Sequence, residues 1–471
     1  MSMRPIALLI GCLGLYAPLT HSAAISFEQA WQVLQQENNS LAAQRSNVER
    51  YQHLQNATDS LNLPSITVGA NYTRLDTDVT VSGKQLLENT HGSMPNLGAI
   101  LPPQLISSLL ASASGITTTI SERDIFTSSI RAIWPIFTGG RINAAQSAAE
   151  GKKDQAQSEL AMETQARFED LSKYYFSVLL AQEVVQTRQL VEQGLTKHRD
   201  DALKLEQQGQ IARVERLQAE SALDQATIER KKAEKNLEIA KAALTQILNQ
   251  DSAVEPADAL FINATLPPLN VFIERTLETY PGLDLLDAKE QQANSLIKAE
   301  KGKYYPEVYL YGNYSLHEDD SLASQMKPDW LVGVGVNVPL LESSGRTDQV
   351  RAAHSAVSQV KYLKAQAKQD LSVLVQKTYL EAQQAQEEVQ GLESSILLAD
   401  ENLKLRQKAF SQGLSTSTDV VDAQLYVASV QTQKAAASFN YLLSLSKLLA
   451  LSSEMDAFNQ YQHNAIKISN K

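Results

Sequence analysis

Cysteine is almost missing from this chain of 471 residues, Cys12 being the only one. A chain that loses Cys12 with a leader has no disulfide and no thiolate for metal or nucleophilic chemistry. Proline is thinly and unevenly spread. None lies between Pro135 and Pro256, and none follows Pro339. Each gap is roughly ten times the length of an average helix, which suits very long helices rather than ordinary globular packing. Past the first residues there is no run of the ~18 apolar residues a membrane helix needs. Positive charge is also in deficit: 42 Lys and Arg against 53 Asp and Glu, a net charge of −11, which argues against a nucleic acid partner. No phosphate loop or nucleophile elbow occurs, and His53, His91, His198, His317, His354 and His463 are scattered without ligand spacing. These absences exclude the common enzyme classes and leave no expected cofactor or metal.

The first residues have the pattern of a secretory leader. Arg4 supplies the positive end, Ile6 to about Leu19 a short apolar run, and Ser22-Ala23-Ala24 the small residues for cleavage. A signal peptide over residues 1–24 is therefore expected. Leu9-Ile10-Gly11-Cys12 has the look of a lipoprotein cleavage box, but apolar sequence continues through Leu13, Leu15 and Leu19. That favours cleavage near Ala24, with a lipid-bearing Cys12 as the alternative.

What the chain does contain, it says twice. Gly209, Glu215, Leu217 and Ala219 keep the register of Gly413, Asp419, Val421 and Ala423. Pro64 opens Pro-Ser-Ile-Thr-Val-Gly-Ala-Asn-Tyr, and Pro306 opens Pro-Glu-Val-Tyr-Leu-Tyr-Gly-Asn-Tyr. Each half is then one structural unit stacked beside its copy.

Within each copy two segments alternate with period two. Ile66, Val68, Ala70 and Tyr72 share one face, and Ser65, Thr67, Gly69, Asn71 and Thr73 the other. The chain returns through Phe126, Ile130, Ala132 and Trp134, and Pro135 is expected to end that strand. The second copy repeats this with Val308, Leu310, Gly312 and Tyr314, then Trp330, Val332, Val334, Val336 and Val338, closed by Pro339. Strands of about ten residues, apolar outside and polar inside, are the vocabulary of a transmembrane β-barrel. Four strands cannot close a barrel, and open edges are not tolerated in lipid, so several chains must contribute to one barrel.

Both strand pairs feed long helical runs. The first, from about Arg141 to Gln208, would span roughly 100 Å. Phe168, Leu171, Tyr175, Val178 and Val185 form one stripe, and Leu180, Val184, Val191 and Leu195 a neighbouring one. Two stripes mean two packing partners per helix, as in a helical barrel. Val350, Ala353, Val357, Val360, Ala367, Leu371 and Leu374 repeat the spacing in the second copy. Gly209 and Gly413 interrupt the runs where a helix must reverse.

The expected organisation follows. A helical equatorial segment occupies 25–63, broken near Asn38-Asn39. The first transmembrane strand pair occupies 64–135, with an extracellular loop over 76–124. The first hairpin covers 136–250, a connector with equatorial helices 251–304, the second strand pair 305–339, the second hairpin 340–451, and a polar tail 452–471. From the spacing of Pro64 and Pro135 against Pro306 and Pro339, the first copy carries about 38 residues more between its strands. That loop includes Pro95, Pro102, Pro103 and the apolar Leu105 to Leu110.

With these strand pairs, duplicated hairpins and the segment Gly413-Leu-Ser-Thr-Ser-Thr-Asp-Val-Val-Asp-Ala423, the chain resembles the TolC-type outer membrane efflux proteins. The resemblance covers essentially the whole chain after the leader, and Pro64, Pro135, Pro306 and Pro339 at the strand–helix junctions support it. It implies a mixed α and β membrane protein. Three protomers would form a 12-stranded transmembrane barrel, four strands from each, continued by a long α-helical periplasmic barrel. It also implies a homotrimer that docks on a periplasmic membrane-fusion adaptor and an inner-membrane pump of the RND, ABC or MFS type. Asp419 and Asp422 resemble the paired aspartates of the family's periplasmic iris. Glu215 matches its acidic latch residue, and Gly209, Gln210, Gly413, Leu414 and Ser415 its adaptor-contacting turns. The family's other latch positions, an aromatic hydroxyl and an arginine, are occupied by Phe410 and Ser415, neither of which can make the expected charged bond. Arg213 and Arg216 are the available replacements for pairing with Glu215 or the aspartates.

The physical case for Asp419 and Asp422 stands beside the resemblance. At i and i+3 they share a helix face, and repeated by symmetry they would ring a narrow pore. Such a ring attracts cations, can hold a divalent ion, and titrates as a coupled set. The plainer role is complementing the helix dipole, worth a few tenths of a kcal/mol. Two rivals to an efflux duct remain: a trimeric structural or adhesive coiled coil, and a duct for one-step (type I) protein secretion.

Overall fold

The computed structural model describes residues 24–83, 85, 103–318, 322–325, 327–341 and 343–467. The expected leader with Cys12, Pro95 and Pro102 of the long loop, and the last residues of the polar tail lie outside the described residues. The chain gathers into two compact units, one of residues 50–153 and 288–360, the other of residues up to 49, 154–287 and from 361 onward.

The unit of residues 50–153 and 288–360 is built on one antiparallel sheet of four strands, in the order Ser65–Arg74, Asp124–Phe137, Glu307–His317, Trp330–Asn337. Its register sets Val68 opposite Ile130, Ile130 opposite Tyr314, and Leu310 opposite Val334. Side chains of one face thus fall in line across all four strands. That face is aliphatic and uncovered: Val68 is 70% exposed and Val332 72%. The two outer strands each have a single neighbour, so both edges of the described sheet are open.

Pro135 does not end its strand. The strand runs on to Phe137, and Pro135 sits opposite Tyr309 just before a register shift. Pairing with Ser65–Arg74 has already stopped at Ile133. A proline that lacks an N–H is tolerated there because one side no longer requires a ladder bond. Within the expected extracellular loop, the described residues include a short hairpin of Val79–Ser82 with Thr117–Ser121 and a helix over Pro103–Ser114.

Where this strand gives way to a helix, two backbones touch. Gly139 has φ +65°, and a Cβ there would lie 2.3 Å from the Gly302 carbonyl oxygen. Arg141, two residues on, is ion-paired with Glu307. Gly139→Ala is expected to destabilise this unit by about 1–3 kcal/mol, through both the left-handed backbone and the clash. Gly140→Ala is the control, because Gly140 also has positive φ but nothing lies within 4 Å of its Cβ position. Equal shifts of the thermal midpoint for the two variants would show that the close approach is without consequence.

The other unit is held by an aromatic core. Ser26 opens the helix Phe27–Glu37 with a reciprocal capping box to Gln29. The break at Asn38 has a cause: its side-chain Oδ1 accepts from the N–H groups of Ser40 and Leu41 and starts the next helix, Asn39–Asp59. Phe27 is enclosed by Phe168, Tyr175, Phe176 and Phe458, with ring centroids 4.5 to 5.6 Å away. Asp258 ties the same corner, accepting from the Phe27 N–H at 2.8 Å and lying 2.7 Å from the Tyr175 hydroxyl. Burial, then the Asp258 charge, pushes the Tyr175 phenol well above its ordinary range.

Four long helices carry the rest: Arg141–Gln207, Arg213–Ile247, Arg346–Ser411 and Ser417–Leu451. The connector supplies the short strands Glu255–Pro256 and Phe261–Ile262 and the helices Leu269–Thr279 and Pro281–Gly302. No helix among the described residues is long and apolar enough to cross a membrane.

Candidate functional site

Both long helices that precede a turn end in the same way. Gly209 and Gly413 have φ of +69° and +72°. In the first turn the N–H of Gln210 bonds back to Leu205 and that of Gly209 to Glu206; in the second, Leu414 bonds to Ala409 and Gly413 to Phe410. This pair of bonds closes the last carbonyls of a helix and needs a left-handed residue, which glycine adopts without penalty. The repeated glycine of the sequence is therefore a repeated helix terminator. Gly209, Gln210, Gly413 and Leu414 are all exposed, with Leu414 at 78%.

The return helices start differently. Thr416 caps the second with a full capping box, its hydroxyl accepting from the Asp419 N–H while Asp419 turns back on the cap. Asp419 Oδ2 accepts from the Thr416 N–H at 2.9 Å, the Thr416 hydroxyl at 2.8 Å and the Ser415 hydroxyl at 3.0 Å. Arg406 stands 3.4 Å from its other oxygen. The Thr416 amide first, then the two hydroxyls and Arg406, hold the Asp419 carboxyl below its usual range. Within one chain, then, the direction is downward; the upward push expected of a ring needs further copies. Asp422 lies one turn on and is exposed.

The first return helix is capped by Ala212, which has no side-chain bond to offer. Glu215, at the position equivalent to Asp419, instead crosses to the other hairpin. Its Oε2 accepts from the Ser417 N–H at 2.6 Å. That amide is one of the orphan donors of the second return helix, so the first turn caps the helix that carries the aspartates. Beside it Thr418 donates to Gln218 at 3.3 Å.

Within one chain Arg216 is engaged elsewhere than at Glu215. Arg216 is ion-paired with Glu206 and Glu220 on its own hairpin. Arg213, exposed at the first position of its helix, stays outside this set of contacts. Arg406 faces Asp419 instead. Phe410 has left the charged network altogether: it is buried with Ala202, Ala219 and Val420 in a small core between the two hairpins.

His198 is the residue that sequence reasoning passed over. It is 6% exposed, its Nε2 lies 2.7 Å from Ser417 Oγ, and its ring centroid is 4.6 Å from that of Phe410. A signal was present: Val191, Leu195, His198, Ala202 and Leu205 recur at helical spacing, placing a titratable ring on the packing stripe. Residues of all four long helices thus meet at one point, as His198, Glu215, Phe410 and Ser417. Among the described residues, no group of His, Cys, Asp and Glu is arranged to hold a metal ion.

Comparison with known proteins agrees on one family. The model of the family described as outer membrane efflux protein matches residues 30–250 and 272–453. The outer membrane protein TolC of Vibrio cholerae is 23% identical over 317 residues, covering 64% of this chain and 70% of that protein. The cobalt-zinc-cadmium resistance protein CzcC of Cupriavidus metallidurans is 22% identical over 363 residues, 76% of this chain and 81% of its own. Among solved structures, that of CusC superposes with a TM-score of 0.72 at 13% identity, covering 92% of this chain and 95% of CusC. At that identity the superposition speaks for the fold.

Proposed function

The chain belongs to the outer membrane efflux protein family, and on that premise we propose that three copies form a passive, gated exit duct served by an energised partner. It is an outer membrane protein that extends into the periplasm, and an efflux duct. In the proposed assembly the strands of three copies close one 12-stranded barrel, and their helical hairpins wall the periplasmic passage. Asp419 and Asp422 ring its narrow end. A periplasmic adaptor meets the turns at Gly209, Gln210, Gly413, Leu414 and Ser415, and an inner-membrane pump drives substrate from below. Small-molecule efflux is the default cargo.

The observation that carries this is the sheet. Among the described residues it has two open edges and an exposed aliphatic face; lipid suits the face, and further copies of the same sheet close the edges that lipid does not tolerate. A structural coiled coil leaves that sheet without a purpose. Support for a gate comes from Glu215, which ties the first hairpin to the helix bearing the aspartates at the point where opening would begin.

Single-channel conductance in planar bilayers tests the reading, wild type against Asp419→Ala/Asp422→Ala. Small cation-selective steps blocked by divalent ions are expected from the wild type. The variant is expected to lose the block, with its affinity for the blocking ion falling at least about tenfold, as loss of paired carboxylates at a cation site implies. Absence of channels from both correctly inserted proteins would favour the structural alternative.

A further inference from the structure

We propose that His198 is a positioning residue of the gate: neutral, it fixes the first hairpin against the helix that presents Asp419 and Asp422, and on taking up a proton it lets go. The inference rests on the reading of this end of the hairpins as the gate.

Three observations point to it. First, His198 bridges copies of the duplicated unit, because its partner Ser417 is 219 residues away and lies in the first turn of the second return helix. Second, the same Ser417 is fully buried and takes the Glu215 carboxylate on its N–H. The hydroxyl and the amide of one residue are therefore held by two different helices of the first hairpin. Third, the surroundings suit a neutral ring. The helix Arg346–Ser411 offers the ring of Phe410 and the helix Ser417–Leu451 the Ser417 hydroxyl, neither of them charged.

The charged groups acting on the ring are Asp201 on its own helix and Glu215 at the start of the first return helix. Asp201 is shared with Lys204 at 3.6 Å, and Glu215 is committed to the Ser417 amide. On the second hairpin, Arg406 and Asp419 answer each other. Burial outweighs the two carboxylates and holds the imidazole below its ordinary value of 6.5. A histidine that binds protons less well when packed than when released stabilises the packed tip above the ordinary imidazole range, and that contribution is lost as pH falls through its packed value. Charged, the ring becomes a double donor and carries a cation into a site built for a neutral group.

The test uses the full chain in planar bilayers across pH of about 5 to 8. Asp419→Asn/Asp422→Asn serves as the background, so that aspartate titration does not contribute. In that background conductance is expected to rise several-fold as pH falls below about 6.5. His198→Gln keeps one hydrogen bond to Ser417 and cannot charge; its profile is expected to be flat and closed. Ser417→Ala, which leaves the histidine but removes its contact, is expected to leak with little pH dependence. Retention of the background pH profile by both His198→Gln and Ser417→Ala would overturn the proposal. The divalent block of the wild type separates the two levels. Channels with an Asp419-dependent block but no His198-dependent profile overturn this inference alone, whereas absence of channels overturns the duct reading beneath it.

Discussion

Phe27→Ala is expected to destabilise the chain by about 3–5 kcal/mol, the range for removing a fully packed aromatic side chain. The upper part of that range applies here. Phe27 is 1% exposed and stands at the centre of four other rings, one of them, Phe176, stacked on it at 5.2 Å. Aromatic pairs add about 0.5–1.5 kcal/mol each beyond the area they bury, so the loss extends past the cavity itself. The site is also poorly placed to collapse. Phe168, Tyr175 and Phe176 sit on a single helix, Arg141–Gln207, and cannot move independently into the gap. Phe27 is, moreover, the first residue of its helix, and its N–H is held by Asp258, so the backbone cannot follow either. Phe27→Leu keeps most of the volume but none of the ring pairing, and its stability is expected to fall between that of the wild type and that of Phe27→Ala. Denaturant midpoints followed by helical signal, for protein folded in detergent, check both values. A loss under about 1 kcal/mol for Phe27→Ala would mean that the cluster closes over the gap and does not hold the unit.

How much of this was open to reading from the sequence depends on the range over which each contact acts. The strand at Ser65–Arg74 is legible because Ile66, Val68, Ala70 and Tyr72 alternate with polar residues, which puts the apolar side chains on one face. The turns are legible because only glycine takes the backbone of Gly209 and Gly413 without strain. The break at Asn38 is legible as two adjacent asparagines, although the capping bonds behind it are not. Pro135 misleads for a local reason. Proline usually closes a strand, and here it sits at a register shift whose partner, Tyr309, is 174 positions away in the chain.

The chemistry of the tip lies still further out of reach. Glu215 and Ser417 are 202 residues apart, His198 and Ser417 are 219 apart, and no local pattern encodes either bond. What sequence could offer for Arg216 was proximity to Glu215. The structure prefers Glu220, one helical turn along, together with Glu206 across the turn. Both are on the same hairpin, and such partners are cheaper to hold than one that needs two hairpins in register. Asp419 follows the same rule, spending its carboxylate on Thr416 and Ser415. Glu215 is the exception, and Ala212 supplies a reason: a cap without a hydroxyl leaves the acid free to act at a distance.

That exception is where the largest functional effect is expected. On the gate proposed above, Glu215→Ala should raise the open population of the duct by about 10- to 100-fold, from the loss of a hydrogen bond to a charged group worth about 1.5–3 kcal/mol. The variant removes the acceptor and leaves the Ser417 N–H, on a fully buried residue at a helix start, without its partner. Folding of the two hairpins themselves rests on cores elsewhere, Tyr441, Leu442, Leu445 and their neighbours among them, so the cost falls on the contact between the turns rather than on the chain as a whole. Glu215→Gln keeps an oxygen that can accept and gives up only the charge, and it is expected to fall between wild type and alanine. Open probability in bilayers reads the gating effect, and hydrogen exchange at the Ser417 amide reads its cause. Exchange that speeds up while open probability stays at the wild-type level would show that the bond forms but does not hold the gate. An unchanged rate at the amide would show that water replaces Glu215 at no cost. The graded order of the three residues at position 215 is what a charged cap across two hairpins requires, and a purely local role for Glu215, confined to its own helix, would leave the Ser417 amide untouched.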